Sequence, residues 1–255
     1  MVDIREWIRG KSSTEKLYLF NSYLRTCTAR LEDYVREKGS KYYVILDKTI
    51  FHPRGGGQPS DTGLLFSTSF KFGVRKVIDV GGVVVHYGRL VEGRLEKDVP
   101  VKCVIDWERR YKVMRLHTAG HILDYAVYRV YGRVVETLDA FHGPPRPYIA
   151  YRARPPEPRE VEEIERIANS VVEEAIPVEI VFAKPGELER RILNAPNIGR
   201  LPPAVSRYRI VATRGVNAIP CTGTHVRNTR EVGKIIVKEV EPMEDDSFKL
   251  YYDVK

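Results

Sequence analysis

Apolar residues recur along this chain in two rhythms, and the change falls near Trp107. Before it the period is short. Val101, Cys103 and Ile105 alternate with Lys102 and Asp106, the period of a half-buried strand, although Val104 breaks the alternation. A short apolar run over 42–47 ends in a turn. Two further strands are expected over 72–80 and 83–87, joined at Gly81-Gly82, a hairpin signal. Many short strands with glycine turns predict a small β-barrel.

Beyond Trp107 the period lengthens. Val113, Leu116, Gly120, Leu123, Val127 and Val130 recur at helical spacing and stop at Gly132. After a break at Pro155, Pro156 and Pro158 a second helical stripe runs through Val161, Ile164, Ala168, Val171 and Ala175, with Glu160, Glu162, Glu163 and Glu165 off it. Strands are expected over 178–182 and 208–212, and the alternation of Phe248, Leu250, Tyr252 and Val254 predicts a terminal one. The fold class is therefore α+β, with an N-terminal barrel domain over 1–105 and an α+β domain over 106–255.

Bulk properties narrow the partners. The 255 residues are 43% hydrophobic, enough for a real core. A net charge of +8 and a pI of about 9.3 favour a polyanion, most often nucleic acid. Residues 1–16 carry charges throughout and lack the apolar stretch of a signal peptide, and no apolar run approaches the roughly 20 residues a bilayer requires. A cytoplasmic protein with no membrane partner is expected. Three cysteines, Cys27, Cys103 and Cys221, leave one over from any pairing, which suits a reducing compartment and keeps Cys221 available as a thiolate ligand.

The chemistry is concentrated in two couplets, His117-Thr118-Ala119-Gly120-His121 and Cys221-Thr222-Gly223-Thr224-His225. Each offers two nitrogen or sulfur donors at i and i+4. On a helix His117 and His121 share one face and can grip one ion. Pro220 and Gly223 place the second couplet in a turn or at a helix start. His117, His121, Cys221 and His225 make a donor set for one Zn²⁺ per chain, and the spacing leaves open whether the ion is structural or catalytic. A second singular segment, Phe51-His52-Pro53-Arg54-Gly55-Gly56-Gly57-Gln58-Pro59, exposes backbone N–H groups to a phosphate or to close backbone approach. It lacks the lysine of a P-loop, and a tight glycine turn explains it as well.

These motifs resemble the editing domain of alanyl-tRNA synthetase and its free-standing relatives, the AlaX proteins. The resemblance rests on Arg115 to Leu123, on Cys221 to Val226, on Thr229-Arg230-Glu231-Val232-Gly233, and on the glycine segment, where His52 and Arg54 stand in place of the family's tyrosine and glutamate. It implies the mid-sized AlaX type: a trans-acting hydrolase that deacylates tRNA(Ala) mischarged with serine, and in some members with glycine, without ATP. It also implies that the glycine motif, here Arg54, Gly55, Gly56, Gly57 and Gln58, serves tRNA selection. Arg227 and Arg230 flank the second couplet where the ester end of the tRNA is expected. Arg109, Arg110, Lys112 and Arg115 form a further basic cluster. Rejection of alanine calls for a hydroxyl that pairs with the serine side chain, with Thr137 and Thr118 as the candidates. Two other readings stand on the same residues: a non-catalytic zinc-containing tRNA-binding module, and a zinc hydrolase of a small ester or amide.

Overall fold

A computed structural model describes residues 2–201 and 205–255. The chain forms two compact units. One comprises Met1–Gly55 with Pro59–Tyr111, the other Gly56–Gln58 with Lys112–Lys255.

The first unit is built on a closed six-stranded barrel. Its strands are β1 (Thr26–Lys38), β2 (Lys41–Leu46), β3 (Gly63–Phe66), β4 (Phe70–Val80), β5 (Val83–Gly93) and β6 (Pro100–Ile105). The order around the barrel is β1-β2-β5-β4-β3-β6, with β6 pairing back onto β1. Closure follows from the alternation: Leu31, Val44, Leu46, Leu65, Phe72, Val101 and Cys103 all reach zero exposure inside. A buried polar relay crosses this core. The Phe51 amide donates to Thr49 Oγ1 at 3.0 Å, and Thr49 Oγ1 lies 2.8 Å from His86 Nε2. His86 Nδ1 lies 3.2 Å from the Val44 carbonyl. A carbonyl only accepts, so the His86 proton sits on Nδ1 and Nε2 receives the threonine hydroxyl.

Helix α1 (Trp107–Tyr131) begins in the first unit and continues into the second. The second unit carries a four-stranded antiparallel sheet of β7 (Thr137–Phe141), β8 (Tyr148–Tyr151), β12 (Ile235–Met243) and β13 (Ser247–Val254), ordered β12-β13-β8-β7. A three-stranded sheet joins β9 (Val178–Ala183), β10 (Tyr208–Thr213) and β11 (Asn217–Pro220) in chain order. Helix α2 (Pro158–Glu173) starts with a proline in its first turn and a capping box between Glu157 and Glu160, and buries Ile164, Ala168, Val171 and Val172. It stops short of Ala175, the last residue of the expected stripe, because Ala175 takes a left-handed backbone at φ 52°. The architecture is α+β. Among the described residues no helix is long and apolar enough to cross a membrane.

Candidate metal centre and the cavity around it

The second unit brings the two couplets together. His117 and His121 project from α1, and Cys221 and His225 come from the loop that leaves β11. The four donor atoms lie within 4.8 Å of one another. Cys221 Sγ is 3.5 Å from His117 Nε2 and 3.4 Å from His225 Nε2.

The outward nitrogens are held from behind. Gln58 Oε1 lies 2.9 Å from His117 Nδ1 and accepts the Thr224 amide at 2.8 Å, while Gln58 Nε2 donates to Thr224 Oγ1 at 2.9 Å. An amide oxygen accepts only, so the His117 proton is on Nδ1 and Nε2 presents a lone pair toward the cluster. Thr118 Oγ1 sits 3.1 Å from His225 Nδ1 and accepts the Val226 amide at 3.3 Å. His121 Nδ1 is buried and, among the described residues, has no hydrogen-bond partner.

The electrostatics suit a cation. Burial, with smaller contributions from His142 and Arg209, lowers the His121 pKa to about 3, so the imidazole is neutral at pH 7 and its lone pair is free. Burial pushes the Cys221 thiol up, with the Arg209 guanidinium pulling the other way, so without an ion the sulfur holds its proton. Three imidazoles and a thiol, converging in a buried place, are a donor set that suits a divalent ion. The cluster can hold a metal ion.

Two glycines are demanded by this packing. A Cβ on Gly223 would lie 2.1 Å from His117 Cε1. Gly57 combines φ +74° with a Cβ position 2.8 Å from the Ala140 carbonyl oxygen, and its own carbonyl accepts the His142 amide at 2.8 Å. Gly55 meets nothing and has an ordinary backbone, so the close approach uses the end of the glycine run.

Three of the four donors face a cavity of about 430 Å³. His117, His121 and Cys221 line it with Gly56, Gly57, Asp124, Thr137 and His142, and Arg200, Arg207 and Arg209 lie on its wall. Thr137 Oγ1 is buried and, among the described residues, has no hydrogen-bond partner. His142 stacks on His117 with ring centroids 4.3 Å apart, and its Nδ1 is 2.6 Å from the Tyr252 hydroxyl, which donates to the Leu116 carbonyl at 3.0 Å. Burial lowers the His142 pKa to about 4, against a smaller upward pull from Asp139.

The residues expected from sequence thus fall into separate places. The four metal donors converge. Thr137 lines the cavity, whereas Thr118 is fully buried behind His225 and does not line it. Gln58 is 1% exposed and supports a donor. Arg54 and Gly55 are exposed in the first unit, and His52 is buried there, its amide bonded to Asp61 at 2.5 Å. Arg227 and Arg230 are exposed but do not line the cavity, and Arg230 reaches the Glu173 carbonyl at 3.4 Å. The basic cluster entering α1 is committed to the fold. Arg110 is buried against Asp61 and the Ser22 and Ile50 carbonyls. Lys112 pairs with Asp253, and Arg115 holds the Val232 and Lys255 carbonyls. Asp124 stands at helical spacing from His117 and His121 and is a further cavity residue with a signal in the sequence, whereas His142 and Arg209 carry no local signal.

A family model described as tRNA synthetases class II (A) matches residues 24–109. Over 98% of its length the chain is 36% identical to an alanine–tRNA ligase of Staphylothermus marinus, covering 27% of that protein. Over 95% of its length it is 33% identical to that of Ignicoccus hospitalis and 36% identical to that of Hyperthermus butylicus, covering 26% of each. The chain is similar to part of alanine–tRNA ligases. It spans about a quarter of the length of these relatives, and the similarity runs through both of its compact units.

Proposed function

We propose that the chain is an AlaX-type editing hydrolase that deacylates mischarged tRNA(Ala), chiefly Ser-tRNA(Ala) and also Gly-tRNA(Ala). The observation that carries this reading is the convergence of four metal donors beside a buried, unpartnered hydroxyl in one cavity. The similarity to alanine–tRNA ligases over nearly the whole chain supports tRNA(Ala) as the partner.

Zn²⁺ is the natural occupant of three imidazoles and a thiolate, and when bound it would supply Lewis acidity for ester hydrolysis. The remaining work belongs to the protein. Gln58 and Thr118 fix the imidazoles of His117 and His225, so the donors are oriented before any ligand arrives. Thr137 offers its hydroxyl to the serine side chain. Alanine would leave that buried group unsatisfied, which penalises the wrong substrate more than a difference in size would. Arg200 and Arg207, exposed on the cavity wall, suit the phosphates next to the aminoacylated ribose. Water cleaves the ester into free amino acid and a ribose hydroxyl, so ATP has no part in the step.

The test is single-turnover deacylation with Zn²⁺-loaded protein and tRNA(Ala) charged with serine, glycine or alanine. Serine is expected to be released much faster than alanine. Thr137→Val should lose most of that discrimination, on the order of a hundredfold or more. Equal release of serine and alanine, or tight tRNA binding with no release, would overturn the proposal.

A further inference from the structure

The helix that carries two metal donors also presents a carboxylate to the same cavity. Asp124 follows His121 by one helical turn, so the three side chains share a face of α1. Tyr151, buried in β8, donates its hydroxyl to Asp124 Oδ1 at 2.8 Å. Among the described residues no cation pairs with this carboxylate. A carboxylate has about four acceptor positions, and one phenol satisfies one of them. The group is therefore oriented, drawn away from water, and short of positive charge.

We propose that Asp124 binds the α-ammonium of the aminoacyl ester, a substrate-binding role that rests on the editing reading above. The ammonium is separated from the scissile carbonyl by a single carbon. A carboxylate fixed by Tyr151 would hold it with charge-assisted hydrogen bonds and so set the position of the carbonyl relative to the donor cluster. Burial raises the Asp124 carboxyl to about 7, and a desolvated carboxylate of this kind gains more from a cation than an exposed one does. Asp139, the other carboxylate on the cavity wall, is exposed and already takes the Tyr148 hydroxyl at 2.6 Å, so solvent screens it. The assignment gives the cavity a direction, with Asp124 receiving the ammonium and Arg200 and Arg207 receiving phosphate.

Two stable probes test this without hydrolysis: 3′-deoxy-3′-(L-serylamido)adenosine, and its counterpart with a hydroxyl in place of the α-amine. Calorimetry at pH 7 on the Zn²⁺-loaded chain should show the amine bound about tenfold tighter or more. Asp124→Asn should abolish that preference while keeping the affinity for the hydroxyl probe, the metal content and the melting temperature. Tyr151→Phe, which leaves the carboxylate but releases its orientation, should reduce the preference, and Asp139→Asn should leave it intact. A preference that survives Asp124→Asn overturns the assignment, as does wild-type protein that binds both probes equally. Wild-type protein that binds neither probe overturns the editing reading along with it.

Discussion

Gln58 shows how far a residue's role can lie from its motif. In the sequence it closes a glycine run that resembles a nucleic-acid element. In the folded chain it bridges His117 and Thr224, the latter 166 positions away. Its expected phenotype is therefore metallic. Gln58→Ala should weaken metal affinity by about ten- to a hundredfold, as loss of a ligand's supporting partner does. A competition titration with a chromophoric chelator reads this directly, and unchanged affinity with weakened tRNA binding would refute it. Gly223 is stricter. Gly223→Ala places a methyl against the His117 ring, so metal content after purification should fall below half, whereas Gly55→Ala, with open space around it, should stay fully loaded. The donors themselves were legible because four residues of two rare types, histidine and cysteine, stood at i, i+4 spacings. Their supports were not, since no local pattern marks Gln58 or Thr118 as a partner and the contacts that define them span 59 and 107 positions.

At the scale of elements, legibility followed the contrast between faces. Strands rich in valine and isoleucine, and both long helices, were evident from period alone. The longest strand, β1 (Thr26–Lys38), escaped notice because its inward face is small or interrupted and its outward face is densely charged. β12 was missed for a similar reason, since Lys238, Glu239 and Glu241 mask the apolar side. Inside the barrel the His86 relay carries a pH dependence. Burial lowers the His86 pKa from 6.5 to about 4, so the folded unit keeps this imidazole neutral where the unfolded chain would protonate it. Above pH 6.5 both states are neutral and the barrel is fully stable in this respect. As pH falls from 6.5 toward 4 the unfolded state takes up the extra proton, and stability drops by on the order of 3 kcal/mol from this group. Denaturant unfolding at pH 7.5 and 4.5 should show that drop in the wild type and a smaller one in His86→Gln. Equal pH slopes for the two proteins would remove His86 from the account.

For the molecule as a whole, the ion and the fold are linked. The burial that keeps the Cys221 thiol protonated means that Zn²⁺ uptake at pH 7 should release the thiol proton. Calorimetry in buffers of different ionisation enthalpy would measure this, and proton release near zero would show that Cys221 does not ligate. An ion held by these four donors would bind the folded arrangement alone, so chelation should lower the melting temperature and added Zn²⁺ should restore it. Saturation at a thousand times the dissociation constant corresponds to about 4 kcal/mol. An identical melting curve with and without chelator would argue that the site is not a stabilising one.

The separation of the two couplets also sets a timetable. When α1 leaves the ribosome it carries His117 and His121 alone, and two imidazoles hold an ion weakly. Cys221 and His225 emerge about a hundred residues later, after α2 and the five strands β7 to β11 have been made. At typical elongation rates of about 5–20 residues per second this is a delay of roughly 5 to 20 seconds. Through that interval the nascent chain cannot sequester the ion, and the cavity acquires its chemistry only when synthesis of this region is nearly complete.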